Sequence, residues 1–264
     1  PGGQWTGRVR HSMRTDAPTP MPSMTTRPSP TLTLALIAGL VVGLIATLAL
    51  GTYGLGIGVL CLIVAGWLGV ATDRRSAVRL LQLVGTRPAT QEDYPRLHNA
   101  MDQLCLVQGI KPPSLHVVDV PTGNAAALGS PKPALIFTVG ALEALEVVEL
   151  EGLVAGLLVR TTDRDLAAQT GAAAHGYLPG SSRMRRRWTR PDRQVRFDLE
   201  AASVTRYPPG LQRALRTLAG LGSTVPSAPA ASAHLWVLQP EGSPEAPTPV
   251  HPSVDLRLAA LGEA

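Results

Sequence analysis

Hydrophobic and polar positions divide this chain into two regimes. From Leu32 to Ala71 there is no charged residue at all, whereas beyond Thr90 apolar and polar residues alternate at helix and strand periods. About 20 consecutive apolar residues are needed for a helix to cross a bilayer. The run 31–50 supplies one such span and 55–71 a second, with Gly51, Thr52, Tyr53 and Gly54 as the turn between them. The pattern predicts a transmembrane helical hairpin over 31–72. A cleaved signal peptide does not fit, because the first apolar run is too long and a second follows at once. Gly39/Gly43 and Gly54/Gly58 make small-xxx-small steps that would let the two helices approach closely. Arg14 and Arg27 precede the hairpin, and Arg74, Arg75 and Arg79 follow it. Positive charge on both flanks predicts that both ends lie in the cytoplasm.

The remaining elements follow from periodicity and punctuation. Residues 73–90 form a basic linker. Thr90 is a candidate N-cap with Asp93 at the third position, Leu97, Met101, Leu104 and Val107 keep helical spacing, and Gly109 ends the helix. After Pro112 and Pro113, the segments 115–120 and 134–139 read as short β-branched strands, with turns at 122–124 and 130–133. Helices are expected at about 140–160, 192–204, 209–219 and 253–262. Between them lie loose stretches rich in Pro, Ser or Arg, at about 176–191 and 222–250. Residues 1–30, rich in Pro, Thr, Ser and Arg, read as a disordered N-terminal segment. The chain opens on Pro1, so Met13, Met21 and Met24 are candidate starts unless the sequence is a piece of a longer one.

Composition removes some function classes. The net charge of +5 is modest and aromatic residues are only 4%, which argues against base-stacking platforms for single-stranded nucleic acid. Two cysteines, Cys61 and Cys105, are too few for a disulfide framework and read as buried thiols. One dense basic run stands out: Arg183, Arg185, Arg186, Arg187, Arg190, Arg193 and Arg196 around Trp188. Beside a membrane it could contact anionic lipid headgroups, at about 1 kcal/mol per charge close to the surface. A solvated loop explains it equally well.

From Tyr94 to the C-terminus the chain resembles the HtpX-type membrane zinc metallopeptidases, relatives of the Ste-type CAAX prenyl proteases. The resemblance rests on ordered pieces: Tyr94-Pro95-Arg96-Leu97; Ser114-Leu115-His116-Val117-Val118 and then Gly123-Asn124-Ala125; Thr138-Val139-Gly140-Ala141-Leu142-Glu143; Glu149-Leu150-Glu151 with Asp165 behind it; Phe197-Asp198-Leu199-Glu200-Ala201-Ala202; the turn 205–211; and His234-Leu235-Trp236 with His251-Pro252 near the end. It implies an α+β, mostly helical, zincin-like domain with a small β-sheet over 91–264, behind the two-helix transmembrane hairpin. The resemblance also implies a zinc site on the helix that begins near Glu149, with a His-Glu-x-x-His motif supplying two ligands one turn apart and a general base.

The departures from the family all fall on its chemistry. By the resemblance, the first metal histidine corresponds to Gly156, the general-base glutamate to Leu157, the second histidine to Arg160, and the third ligand to Gln194. Zinc is held by three or four N, S or anionic O donors at about 2.0–2.3 Å. Glycine offers none, Gln194 only a neutral oxygen, and Arg160 puts a cation where the metal's charge would sit. Leu157 cannot take a proton from water. No His-x-x-x-His pair occurs anywhere in the sequence. Asp198 and Asp165 survive as remnants of the surrounding shell; Asp198 is expected to pair with Arg160, and Asp165 to be a solvated helix-end residue. His234 and His251 read as turn anchors, and His175 as a helix-end residue without a partner.

The expectation is a membrane-anchored pseudopeptidase that acts by binding, with no zinc. Its partners would be the lipid bilayer and either an active relative or a membrane-protein client, with no nucleic acid. It would be integral to the plasma membrane, with its main domain cytoplasmic. Two other readings stay open. One is an active zinc metalloendopeptidase of membrane-protein quality control, using replacement ligands drawn from Asp163, Asp165, Asp198, Glu200 and His175. The other is a membrane-tethered interaction domain.

Overall fold

In the computed structural model, which describes residues 30–129, 132–176, 191–241 and 251–263, the two apolar runs are helices α1 (Pro30–Leu50) and α2 (Thr52–Val84). Both are long and apolar enough to cross a membrane. Gly51 alone makes the turn, at φ +57°, a left-handed conformation that glycine adopts without steric cost. The small residues do what their spacing predicts. A β-carbon on Gly43 would stand 2.9 Å from the Gly58 Cα, and one on Gly54 would strike the Ala46 carbonyl at 2.0 Å. The two backbones therefore touch along the seam. Helix α2 does not stop where its charges begin. It runs through Asp73, Arg74 and Arg75 to Val84 and ends on left-handed Gly85. With 33 residues it is about 50 Å long, so membrane span and basic linker are largely one rod.

The domain is built on a four-stranded mixed sheet in the order β1-β2-β4-β3, with β1 (Arg87–Pro88), β2 (Ser114–Val118), β3 (Ala125–Leu128) and β4 (Ala134–Thr138). β2 and β4 are parallel and the outer pairs antiparallel. β4 is central and buried at every position, as its unbroken Ala-Leu-Ile-Phe-Thr reading requires. Both of its edges are paired, to β2 and to β3. Six helices surround the sheet: α3 (Pro95–Gln108), α4 (Val139–Ala144), α5 (Val147–Thr161), α7 (Pro191–Thr205), α8 (Pro208–Gly220) and α9 (Val254–Gly262). A further short helix, α6 (Leu166–His175), packs on α2.

Several expected boundaries move, each for a local reason. The helix expected from Thr90 begins at Pro95 instead. Thr90 and Asp93 do exchange side-chain hydrogen bonds, but in a turn ahead of the helix. Tyr94, at φ −130° and ψ 59°, stays out of the helical conformation, which the proline after it disfavours. The helix expected over 140–160 is two helices. Leu145 is extended, its carbonyl accepts from the Arg96 guanidinium, and Glu149 then bonds back to the Glu146 amide at 3.1 Å to start α5. The stretch 222–250 is not loose throughout. Residues 230–235 form a 3-10 helix, and Trp236, only 1% exposed, bridges Ala126 on the β3 edge. Cys105 is buried as expected and Cys61 only partly so. The segment 1–30 expected to be disordered, apart from Pro30, and the arginine run 183–190 lie outside the described residues.

Helix α5 is the most enclosed element and meets α8 and α7 on different faces. At Gly152 a β-carbon would lie 2.7 Å from the Leu211 backbone nitrogen, whereas at Gly156 it would meet nothing closer than the Ala201 Cβ at 3.8 Å. Gly152→Ala is therefore expected to cost about 1–3 kcal/mol through forced separation of α5 and α8. Gly156→Ala is expected to be neutral or stabilising by up to about 1 kcal/mol from helix propensity. Chemical denaturation of the two variants checks the difference in sign.

Candidate functional site

Positions 156, 160 and 194 lie along the seam of α5 and α7. Gly156 faces Ala201 near one end, and one turn further along Arg160 touches Gln194. The helix geometry thus brings together the positions that the resemblance assigns to metal ligands, but with other side chains on them. The Arg160 residue is 6% exposed. Its Nη1 donates to the carbonyls of Leu235 and Trp236, each at 3.0 Å, and its Nη2 donates to Gln194 Oε1. Burial and the nearby Arg257 guanidinium pull its pKa down to about 10, so it stays a cation at neutral pH. Leu157 is wholly buried in the apolar core and faces no polar partner.

Asp198 is not paired with Arg160, as had been expected. It is 4% exposed and accepts a two-pronged ion pair from Arg257 on α9: Nε to Oδ2 at 2.6 Å and Nη2 to Oδ1 at 2.8 Å. The third arm of Arg257, Nη1, donates to the Val237 carbonyl at 2.8 Å. Gln194 links the two arginine centres, since its Nε2 donates to Asp198 Oδ1 at a long 3.4 Å. Arg257 was missed in the sequence. Its signal was there, because it occupies the apolar face of α9 at i+3 from Val254 and i−4 from Leu261. A charge on a buried stripe implies a buried counter-charge.

The other remnant also differs from its expectation. Asp165 is not simply solvated: Arg193 Nη1 lies 3.3 Å from its carboxylate, while Arg193 Nη2 pairs with Asp163. Glu200 is exposed on α7. His175 has a partner, since its Nδ1 accepts from Arg79 Nη1 at 3.0 Å. Of the suggested replacement ligands, Asp163 and Asp165 are held by Arg193, Asp198 by Arg257 and His175 by Arg79. Among the described residues no three His, Cys, Asp or Glu side chains gather as a metal would need.

Behind Arg160 is a small cavity of about 20 Å³, room for about one water, lined by Arg160, Asp163, Gln169, Arg193, His234 and His251 among others. His251 is half-buried as a residue, but its ring turns inward and Nε2 donates to the Ala233 carbonyl at 2.9 Å, the turn anchor expected. Burial first, and then the Arg160 cation, depress its pKa to about 3. Burial depresses that of His234 to about 4, with Arg160 and Arg193 acting the same way. Both rings are neutral at pH 7.

All of this converges on one strap of backbone, 235–238. Arg160 holds the carbonyls of 235 and 236, and Arg257 that of 237. The fully buried Asn124 holds residue 238 from both sides, donating to its carbonyl at 3.0 Å and accepting from its amide at 3.1 Å. The Val237 amide donates to the Ala125 carbonyl at 2.7 Å, so the strap also closes the β3 edge. The donor set does not fit a zinc ion: a glycine, a wholly buried leucine, a carboxamide and a guanidinium whose terminal nitrogens both already donate.

Comparison with known proteins gives the ancestry. A protease HtpX homologue of Acidiphilium cryptum is 30% identical over 226 residues, covering 69% of this chain and 78% of the relative. The chain belongs to the HtpX family. A homologue from Dictyoglomus thermophilum is 28% identical over 222 residues, covering 69% and 73%. One from Tropheryma whipplei is 26% identical over 220 residues, covering 68% and 76%. No family model and no solved structure matches the chain. It is thus a membrane metallopeptidase-family protein with a mostly helical α+β domain behind two long apolar helices.

Two outcomes follow for the polar network. Arg257→Met should cost about 3–5 kcal/mol by leaving Asp198 buried and unpaired, and most of this should return in Arg257→Met/Asp198→Leu. Urea unfolding of the single and double variants measures this. The histidines set a pH dependence. Their folded pKa values, about 4 and about 3, lie below the unfolded value near 6.5, so the unfolded chain binds more protons below that pH. Stability should be full above pH ~6.5 and should fall toward pH 4, by up to about 1.4 kcal/mol per pH unit per ring. Unfolding measured at pH 7 and pH 5 reads the slope, and His251→Gln should reduce it.

Proposed function

We propose that this HtpX-family protein has lost its zinc site and its proteolytic activity and acts by binding, as a pseudopeptidase. The single observation that carries the reading is Arg160. A buried, permanently charged guanidinium stands at a position where the family resemblance calls for a metal ligand, and its terminal nitrogens donate to backbone carbonyls and Gln194. A divalent cation beside it would meet repulsion in a site from which water, and so dielectric screening, is largely excluded. Leu157 adds to this, because a wholly buried alkyl group cannot serve as a general base.

The same reading gives the protein an orientation and partners. The hairpin enters and leaves the membrane on the cytoplasmic side, as the arginines on both flanks favour. The 91–264 domain stands in the cytoplasm on the rod of α2. There it engages either an active relative, through features of the shared fold, or a membrane-protein client. The arginines at 183–190 add contact with anionic lipid.

Restoring donors tests the loss directly. In Gly156→His/Arg160→His/Gln194→Glu, the first substitution meets the Ala201 Cβ at an ordinary contact distance of 3.8 Å and the other two exchange side chains already in contact. Leu157 is kept, because a carboxylate there would be buried in the core. The triple variant should take up zinc and be stabilised by it, while the unaltered protein is not. A folded triple variant without zinc affinity, or a chelator-sensitive cleavage of peptides by the unaltered protein, would contradict the proposal.

A further inference from the structure

The largest cavity described on the molecule is not at the α5–α7 seam. It is a groove of about 520 Å³ between the upper part of α2 and the start of the sheet. Val78 and Leu81 on α2 and Pro88 and Ala134 on the sheet side supply apolar lining, and Arg74 and Lys132 supply its cations. Val78 is 55% exposed, and the side chains of Arg74 and Lys132 belong to exposed residues. We propose that this groove binds one anionic phospholipid of the surrounding leaflet, with its phosphate between Arg74 and Lys132 and one acyl chain along Val78 and Leu81.

Three observations select this occupant. First, the groove starts on the helix that leaves the membrane. Arg74 is two residues beyond Thr72, the last residue of the charge-free run, or about 3 Å along an unbroken helix. The polar layer on each side of a bilayer is about 5–7 Å thick, so the Arg74 head sits at phosphate level. Second, the charges are complementary: two cations flank walls of mostly apolar carbon, the amphiphilic pattern of a lipid and the opposite of what a soluble anion needs. Third, the groove wall offers an acyl chain an apolar path on one side and cations at one end, so the phosphate contact provides the selectivity. Val78 and Leu81, one and two turns above Arg74, continue that apolar path away from the membrane.

The inference rests on the hairpin lying in a membrane, and the experiment separates the two. The full chain is placed in nanodiscs of equal phosphatidylglycerol and phosphatidylcholine, and the lipids retained on the released protein are counted by native mass spectrometry. One phosphatidylglycerol should be retained in preference to phosphatidylcholine by about tenfold. Arg74→Glu/Lys132→Glu should abolish the preference. Val78→Trp, which fills the groove from an exposed position and leaves both cations in place, should reduce retention of that lipid. Arg75→Glu removes a charge one residue away, on a side chain that does not line the groove, and should leave retention within about threefold. Equal retention of the two lipids, no effect of Val78→Trp, or a loss with Arg75→Glu as large as with the groove variant would overturn the proposal as diffuse surface attraction. Failure of the unaltered chain to enter nanodiscs would overturn the membrane placement itself, and the site with it.

Discussion

The interaction on which the rest of the site depends is the grip of two buried arginines on one strap of backbone. Carbonyl groups removed from water must find donors, or each costs roughly 1–3 kcal/mol. The strap at 235–238 crosses the interior and cannot satisfy itself, because beyond Leu235 it forms no helix and pairs with β3 at only a bridge. Arg160 and Arg257 solve this with planar groups that each offer several donors in one plane. Arg257 is neutralised by Asp198, whereas the two terminal nitrogens of Arg160 donate to the neutral oxygens of Gln194, Leu235 and Trp236, with the carboxylates of Asp198 and Asp163 acting on it from nearby.

That arrangement shows how a frame of the HtpX family can carry a guanidinium and a carboxamide along its central seam. Helices α5 and α7 pack along one seam, α9 delivers its arginine to Asp198, and Asn124 ties the strap to the sheet. What differs is chemical capacity. The seam is cross-braced by hydrogen bonds from the guanidinium, which are directional and fixed, whereas a hydrolytic centre needs open coordination and a base of matched pKa. The two inward rings near Arg160 are kept neutral by burial and by its charge, so they brace the strap without adding to the positive charge.

Much of this was legible in the sequence. The hairpin followed from an uncharged run, and its close approach from Gly43 and Gly58. β2, β4 and the later helices followed from periodicity, and the family from ordered pieces such as Gly123-Asn124-Ala125 and Phe197-Asp198-Leu199. What was not legible had physical causes. β3 is Ala-Ala-Ala-Leu, a composition with no strand preference, and is a strand only because β4 and the strap pair with it. Leu145 breaks a helix that propensity would continue, because Arg96 claims its carbonyl. Asp198 was matched to the wrong arginine. The choice between Arg160 and Arg257 is made by tertiary geometry 59 residues away in the chain, although Arg257 on an apolar stripe was a readable warning.

The measurement that bears most directly on the account is the zinc content of the intact protein, equilibrated with excess zinc, freed of loosely held metal and analysed by elemental mass spectrometry. The account predicts far less than one ion per chain and an unfolding midpoint indifferent to zinc or chelator. One tightly held ion per chain, whose removal lowers that midpoint, would contradict it.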